Sequence, residues 1–223
     1  GYLQGRTGYN VLTRHLFSAM SNQGPLTQID LLQRDSASRI LEAEQLAQTS
    51  GVPPTWIMIA PPKEFGLLQS LHGKRIGYVL WEATGIPKSW RPLLQGLDEL
   101  WSPSAWGTQV LRNKGFQMPI SIVPGGVDLS AFRPAAEKHP ELSKLPGFKF
   151  LHVGKWELRK NSAALVQAFD RAFVASEQVS LILAVHHFSR GGLKPEAELK
   201  KLGLQHPERV FLVPPIDLHG DLA

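Results

Sequence analysis

The sequence predicts an α/β protein built from parallel strands that alternate with helices. Short apolar runs of strand length recur along the chain, and segments with apolar residues at helical spacing separate them. Such alternation is typical of parallel sheets covered by helices on both faces. A stretch rich in proline, glycine and charge interrupts the pattern, which then restarts. The composition, with 43% hydrophobic and 19% charged residues, is that of a globular protein.

The first half of the chain supplies most of one sheet. Strands are predicted over residues 1–4, 29–32, 56–60, 76–81, 100–101 and 120–123. The helices between them are predicted over residues 9–21, 36–48, 90–97 and 104–112, with a shorter helical stretch that ends at residue 71. Gly5-Arg6-Thr7-Gly8 reads as a glycine-bearing loop between the first strand and the first helix. By the topological rule, ligands bind at the carboxyl ends of such strands.

Residues 135–147 are the predicted linker, because mixed charges, His139-Pro140 and Pro146-Gly147 make a poor helix or strand. Residues 1–134 are then one domain and residues 148–223 part of a second. In the second, strands are predicted over residues 148–153, 179–185 and 210–213, with a helix after Asn161 and another over 195–202. The chain starts and stops inside predicted βα units, so we expect it to be a piece of a longer protein.

The segment 148–169 carries the clearest chemical signal. A buried strand is followed by Gly154, where the chain can turn without a Cβ. Asn161 and Ser162 are residue types that begin helices. Between these points stand three cations, Lys155, Arg159 and Lys160. Because a helix N-terminus and ammonium groups both attract anions, the arrangement predicts a diphosphate site. A solvated cation cluster on an ordinary loop is the alternative.

Two stretches resemble a known family. VGKWELRKN resembles the G-[RK]-x4-K segment of the retaining glycosyltransferases of the GT-B fold (the group 1 family, with bacterial mannosyl- and glucosyltransferases), and SIVPGGVDLSAFRP resembles its PNGVD segment. Gly125 stands where asparagine is usual. The similarity extends over about residues 5–222. It implies a double Rossmann-like fold, with a nearly complete acceptor-side domain and the first part of the nucleotide-sugar domain.

The resemblance also implies an activity. Relatives transfer a sugar from a nucleotide donor to an acceptor hydroxyl with retention of configuration and without a metal, so no cofactor is expected. Lys155 and Lys160 would stabilise the departing diphosphate. Further donor-side candidates are Gly8, Gly126, Gly154 and Arg159, and the acceptor-side candidates are Arg6, Thr84 and Ser104.

Glu82 is the catalytic candidate of the first half. It follows the predicted strand 76–81, at an end that faces the ligand crevice in parallel sheets. In many relatives a histidine or an acid stands here and contacts the sugar or the acceptor. The alternative is a carboxylate that caps its own turn. Ser104 is likewise first a helix N-cap and only second a ligand contact.

Charge and residue usage limit the partners. A net charge of +5 and a sequence pI near 9.6 favour anionic partners, namely a nucleotide diphosphate or an anionic membrane surface. Nucleic acid is the third anionic class and the least favoured, and no such partner is expected, because the cations are scattered and aromatic residues do not interleave with them. The absence of cysteine excludes disulfides and fits a cytoplasmic protein. The positive charge is compatible with peripheral contact to a membrane. His186-His187 point to opposite faces, so no metal site is expected.

Two other functions stay open on the sequence. One is a sugar-nucleotide epimerase of the same architecture, and the other is a non-catalytic module that binds a glycan or a nucleotide. The paired-glutamate motif of the family, which holds the donor sugar, would lie beyond Ala223. The donor, UDP- or GDP-linked, and the acceptor (glycan, lipid-linked or small molecule) are therefore not fixed, and this piece alone is expected to be inactive.

Overall fold

The computed structural model describes residues 8–21, 27, 29, 35–130, 132–134, 140–174, 176–186 and 194–213. The chain divides into two compact units, Gly1–Val127 and Asp128–Ala223. Each described sheet is parallel throughout, which confirms the predicted α/β class. The predicted strands over residues 1–4 and 29–32 lie outside the described residues, apart from Ile29.

The first unit contains a four-stranded sheet in the order β1-β2-β3-β4. Its strands are β1 Thr55–Ile59, β2 Lys74–Tyr78, β3 Glu99–Ser102 and β4 Ile120–Ile122. The helices are α1 Gly8–Ser21, α2 Ser36–Ser50, α3 Arg91–Gln95 and α4 Ala105–Asn113, with 3₁₀ turns at Pro62–Leu68 and Lys88–Trp90. In the register, Ile57 lies opposite Ile76, and Leu100 lies opposite Ile120. The four predicted strands that lie within the described residues of this unit are thus confirmed.

The core of the first unit forms where the 3₁₀ turn Pro62–Leu68 and α3 pack on the sheet. Phe65, Leu94 and Leu100 are completely buried there. Gly77 in β2 permits this packing, since a Cβ would lie 2.6 Å from the Leu97 side chain and 2.7 Å from Phe65. Burial of these side chains away from water is the main stabilising contribution to the unit.

Two ion pairs join neighbouring strands at the amino-terminal edge of this sheet. Arg75 at the start of β2 binds Asp98 with Nε to Oδ2 at 2.9 Å, and a backbone hydrogen bond adds to the pair. The Arg75 guanidinium lowers the pKa of Asp98 to about 2. Lys74 likewise contacts Glu99 at 2.6 Å and lowers the pKa of that carboxyl. These pairs lie at the opposite edge from the strand ends at which ligands bind in parallel sheets.

The second unit contains a three-stranded sheet in the order β5-β6-β7. Its strands are β5 Phe148–Lys155, β6 Val179–His186 and β7 Val210–Leu212, and its helices are α5 Pro140–Ser143, α6 Ser162–Ala172 and α7 Pro195–Lys201. The 3₁₀ turns are Leu158–Lys160 and Pro207–Arg209. Val166 and Phe169 of α6 pack against Leu181 and Leu183 of β6 in one buried cluster. The buried Asp170 accepts the backbone N–H groups of residues 205 and 206, so it ties α6 to the segment before β7.

The predicted linker 135–147 is partly described. Residues 135–139 lie outside the described residues, and α5 occupies Pro140–Ser143. Gly147 follows with a φ of 62°, and an added Cβ would overlap the carbonyl oxygen of Gln178. Glycine is therefore required at this turn into β5. A hinge function for the segment stays a prediction.

Candidate functional site

The predicted anion site is a loop of the second unit, residues 155–161, called the cation loop below. It joins the carboxyl end of β5 to the first turn of α6. The predicted turn at Gly154 is wrong, because β5 continues through Gly154, opposite Val185, and ends at Lys155. The change of direction occurs instead at Asn161, whose φ of 53° and ψ of 33° are left-handed. Asparagine tolerates this conformation better than most residues.

Backbone hydrogen bonds make the cation loop compact. Glu157 N–H donates to the carbonyl of Lys155 at 3.0 Å, and Lys160 N–H donates to the carbonyl of Glu157 at 3.0 Å. The 3₁₀ turn Leu158–Lys160 results and leads directly into α6. The three cations predicted to act together are therefore brought to one short loop: Lys155, Arg159 and Lys160.

The first turn of α6 faces the cation loop with an uncapped N-terminus. Asn161 occupies the N-cap position, yet its side chain makes no capping hydrogen bond. The first N–H groups of a helix have no partners within the helix, and the helix dipole adds partial positive charge there. These N–H groups follow Lys160 directly in the chain, and a helix N-terminus next to cationic residues is a setting in which proteins bind phosphate groups.

The side chains of the loop divide between its surface and the core. Arg159 contacts Glu157 at 3.3 Å, so part of its charge is balanced locally. Lys155 is half-buried and Lys160 is exposed. Trp156, which the sequence left open as a packing residue or a sugar platform, is 8% exposed and belongs to the core of the unit. The site is therefore polar and cationic at its surface and held by an apolar residue beneath.

The sequence did not single out one polar contact beside the loop. His152 in β5 and Ser162 at the start of α6 are in hydrogen-bond contact, with 3.0 Å between Nε2 and Oγ. In the sequence, Ser162 indicated only the start of a helix, and His152 lies within a predicted apolar strand. Nothing local in the sequence relates these two positions.

Glu82 lies beyond the carboxyl end of β2 in the first unit. The strand ends at Tyr78 rather than at Trp81 as predicted, so a short irregular segment leads to Glu82. Glu82 is exposed, as is Thr84 in the same turn. The Trp81 indole N–H donates to the carbonyl of Gly85 at 2.7 Å and thereby closes this turn. The structure thus brings Glu82 and Thr84 together, and their roles stay predictions.

The other predicted positions of the first unit lie on helix starts and loops. Ser104 is confirmed as the N-cap of α4, because its Oγ accepts the N–H of Gly107 at 3.1 Å. A ligand contact by Ser104 stays a prediction. Gly8 is the first residue of α1 rather than part of the preceding loop. Gly126 is exposed, with open space where a Cβ would stand. Arg6 lies outside the described residues.

In the described ranges, no three histidine or carboxylate side chains cluster closely enough to hold a metal ion. No helix found there is long and apolar enough to cross a membrane.

The chain is similar in fold to solved structures. No protein-family model and no curated protein sequence matches the chain. Among solved structures, a glycosyltransferase from Rickettsia africae ESF-5 is similar, with 15% identity and a TM-score of 0.55 over 91% of this chain and 58% of that one. TarM is similar with 13% identity and a TM-score of 0.51, over 71% of this chain and 32% of that one. The chain thus spans about a third to somewhat over half of these structures, and the likeness shows a shared α/β, Rossmann-like fold.

Proposed function

We propose that the protein to which this chain belongs transfers a sugar from a nucleotide-sugar donor to an acceptor hydroxyl. The observation that carries the proposal is the cation loop, where Lys155 and Lys160 stand beside the uncapped N-terminus of α6. A fold shared with a solved glycosyltransferase supports it. The resemblance of two sequence segments to retaining GT-B enzymes supports the finer assignment of a retaining, metal-independent hexosyltransferase.

The chemistry requires help for the leaving group. The bond between the anomeric carbon and the β-phosphate oxygen breaks, and its electron pair goes to the diphosphate. The acceptor hydroxyl oxygen bonds to the carbon, and its proton goes to the departing diphosphate. Lys155, Lys160 and the first-turn N–H groups of α6 would stabilise the charge that grows on the diphosphate. Arg159 would assist if it exchanges Glu157 for a phosphate oxygen. Gly154 and Gly126 would leave room for the donor, because no atom lies near their absent Cβ positions.

Glu82 would act on the sugar or the acceptor rather than on the diphosphate. An exposed carboxylate repels a phosphate group, whereas it accepts hydrogen bonds from hydroxyl groups. Thr84 in the same turn, together with Ser104 and Arg6, would complete the acceptor side, and Gly8 would contact the donor. We place the reaction in the cytoplasm, with a glycan, a lipid-linked or a small acceptor and with peripheral contact to anionic membranes. A surface polysaccharide or lipid-linked glycan would be the product class.

The binding step is tested by calorimetric titration with UDP, GDP and their monophosphates. Lys155→Ala and Lys160→Ala should each weaken binding of the preferred diphosphate about tenfold or more, because a hydrogen bond to a charged group contributes ~1.5–3 kcal/mol. Lys149→Ala is the matched control. Lys149 belongs to the same strand and contacts the carbonyl of Gly147, and it lies about 20 Å from Lys155 at ~3.3 Å per residue.

Turnover separates the proposed enzyme from a binding module. In the protein that carries this chain, Lys160→Ala should lower sugar transfer ~10²–10³-fold, the usual effect of removing one preorganised charge stabiliser. Near wild-type turnover of both lysine variants would refute the assignment of the cation loop. Diphosphate binding without transfer of any sugar would favour the non-catalytic module, and interconversion of the donor sugar would identify an epimerase.

A further inference from the structure

A polar pair, the half-buried His152 and the buried Ser162, connects the strand that ends in Lys155 to the first residue of α6. The imidazole Nε2 of His152 lies 3.0 Å from Ser162 Oγ, and the serine side chain is 1% exposed. The same hydroxyl lies 3.5 Å from the carbonyl oxygen of Lys155. One side chain therefore contacts the end of β5 at two points while it belongs to α6.

The direction of the hydrogen bond between His152 and Ser162 depends on the tautomer of His152. A carbonyl oxygen can only accept, so the Ser162 hydroxyl donates its hydrogen in the contact with Lys155. In the tautomer with the proton on Nε2, His152 donates to Ser162 Oγ, and both sides of the buried hydroxyl are satisfied. The resulting chain runs from imidazole to hydroxyl to the carbonyl of Lys155.

Several other contacts of the cation loop are local, such as the hydrogen bond from Asn161 N–H to the carbonyl of Leu158 at 3.0 Å. Two more reach neighbouring elements, because Lys155 pairs with His186 of β6 and Trp156 packs in the core with Val166 of α6. The Asn161 side chain makes no capping hydrogen bond to α6. The pair therefore adds a polar link between Lys155 and the first residue of α6.

We infer that His152 and Ser162 are positioning residues that hold Lys155 in register with the α6 N-terminus for diphosphate binding. The inference rests on the proposed function, since it assigns this pair to the same site. Charge stabilisation depends on preorganisation, because groups that must be reordered on binding contribute less. Without the pair, Lys155 and the first N–H groups of α6 would be less firmly preorganised for the diphosphate.

The test compares diphosphate with monophosphate affinity by calorimetric titration, using whichever of UDP and GDP the protein binds. Ser162→Ala should weaken diphosphate binding about tenfold and change monophosphate binding less than about threefold. His152→Leu should have the same effect. His152→Gln keeps an N–H near the Nε2 position and should bind within about threefold of wild type. Thermal melting shows whether Ser162→Ala folds. If it does not, the affinities of the two His152 variants are compared with wild type instead.

Ser180→Ala is the matched control for loss of a buried serine hydroxyl in the same unit. Ser180 is completely buried in β6, and its hydroxyl donates to the carbonyl of Pro146 at 2.8 Å. It should lower the melting temperature by an amount similar to that of Ser162→Ala and leave diphosphate affinity unchanged. Equal loss of affinity in both variants would overturn the inference, because it would reflect general destabilisation of the unit.

A double-mutant cycle shows whether the pair acts through Lys155. In the Lys155→Ala background, Ser162→Ala should cost less than about twofold further in diphosphate affinity. A full tenfold loss in that background, or no loss in the wild-type background, would overturn the inference while Lys155 and Lys160 keep their proposed role. If Lys155→Ala itself leaves affinity unchanged, the proposed diphosphate site fails, and the positioning role fails with it.

Discussion

Replacing Asp98 with asparagine should destabilise the first unit by an amount that the structure allows us to work out. Arg75 donates to both carboxylate oxygens, each at 2.9 Å, and its backbone N–H donates to Oδ2 at 2.8 Å. These contacts hold the pKa of Asp98 at about 2, against an ordinary value of 3.8. At ~1.36 kcal/mol per pKa unit, the difference is at most about 2.4 kcal/mol. Because the Asp98 side chain is 41% exposed, solvent screening reduces the expected loss to about 1 kcal/mol.

The pH dependence of this loss has a definite sign. The folded pKa of Asp98 lies below the unfolded one, so the unfolded chain binds more protons at acid pH. The contribution to stability is complete above about pH 5 and declines as the pH falls through 3.8 toward 2. About half of it should remain at pH 3. The unfolding free energies of Asp98→Asn and wild type should therefore converge at acid pH.

Urea unfolding followed by tryptophan fluorescence measures this difference in the first unit. Five of the six tryptophans belong to that unit, at positions 56, 81, 90, 101 and 106. Glu42→Gln is the control, since Glu42 is an exposed carboxylate on α2. A destabilisation by Asp98→Asn that is the same at pH 7 and pH 3 would refute the electrostatic reasoning. So would a variant as stable as wild type at pH 7.

Three further predictions concern the second unit and Glu82. Gly147→Ala should lower the free energy of unfolding by at least about 2 kcal/mol, because the left-handed φ and the Gln178 carbonyl exclude a Cβ. Urea unfolding followed by Trp156 fluorescence measures this loss, and an unchanged midpoint would contradict the prediction. Gly154→Ala should keep the free energy of unfolding within about 1 kcal/mol, since no atom lies within 4 Å of the new Cβ, and should weaken diphosphate binding in calorimetry. Glu82→Gln should leave nucleotide affinity within a few-fold and lower turnover sharply, and a large loss of affinity would place Glu82 against the nucleotide instead.

The location of the cation loop bears on how the proposed site would work. All of its cations, and the helix N-terminus beside them, belong to the second unit. In the proposed function, the charge stabilisation of the diphosphate comes from groups of that unit, whereas the proposed roles of Glu82 and Thr84 require the first. Variants of the loop should consequently weaken both diphosphate binding and transfer, whereas variants of Glu82 should affect transfer with little change in nucleotide affinity.

Local features of the molecule were determined by the sequence itself. The alternation of apolar runs with segments of helical spacing was enough to predict the parallel α/β class. Strand and helix periodicities depend only on residues that are close together in the chain. Ser104 could be assigned as an N-cap because the bond it makes reaches only to Gly107. The grouping of Lys155, Arg159 and Lys160 ahead of α6 could also be predicted, since the loop that carries them is short.

The remaining features depended on partners distant in the chain. β5 extends through Gly154 to Lys155 because β6 offers a pairing residue at each position as far as His186, and the local signal for a turn at Gly154 is weaker than that ladder. The Arg75–Asp98 pair and the contact of His152 with Ser162 form only once strands and helices are stacked. A residue sequence specifies backbone preferences over a few positions, whereas hydrogen bonds between elements require the register and packing of the whole unit. For this reason the cations of the candidate site could be found in the sequence, and the pair that holds one of them in place only in the tertiary structure.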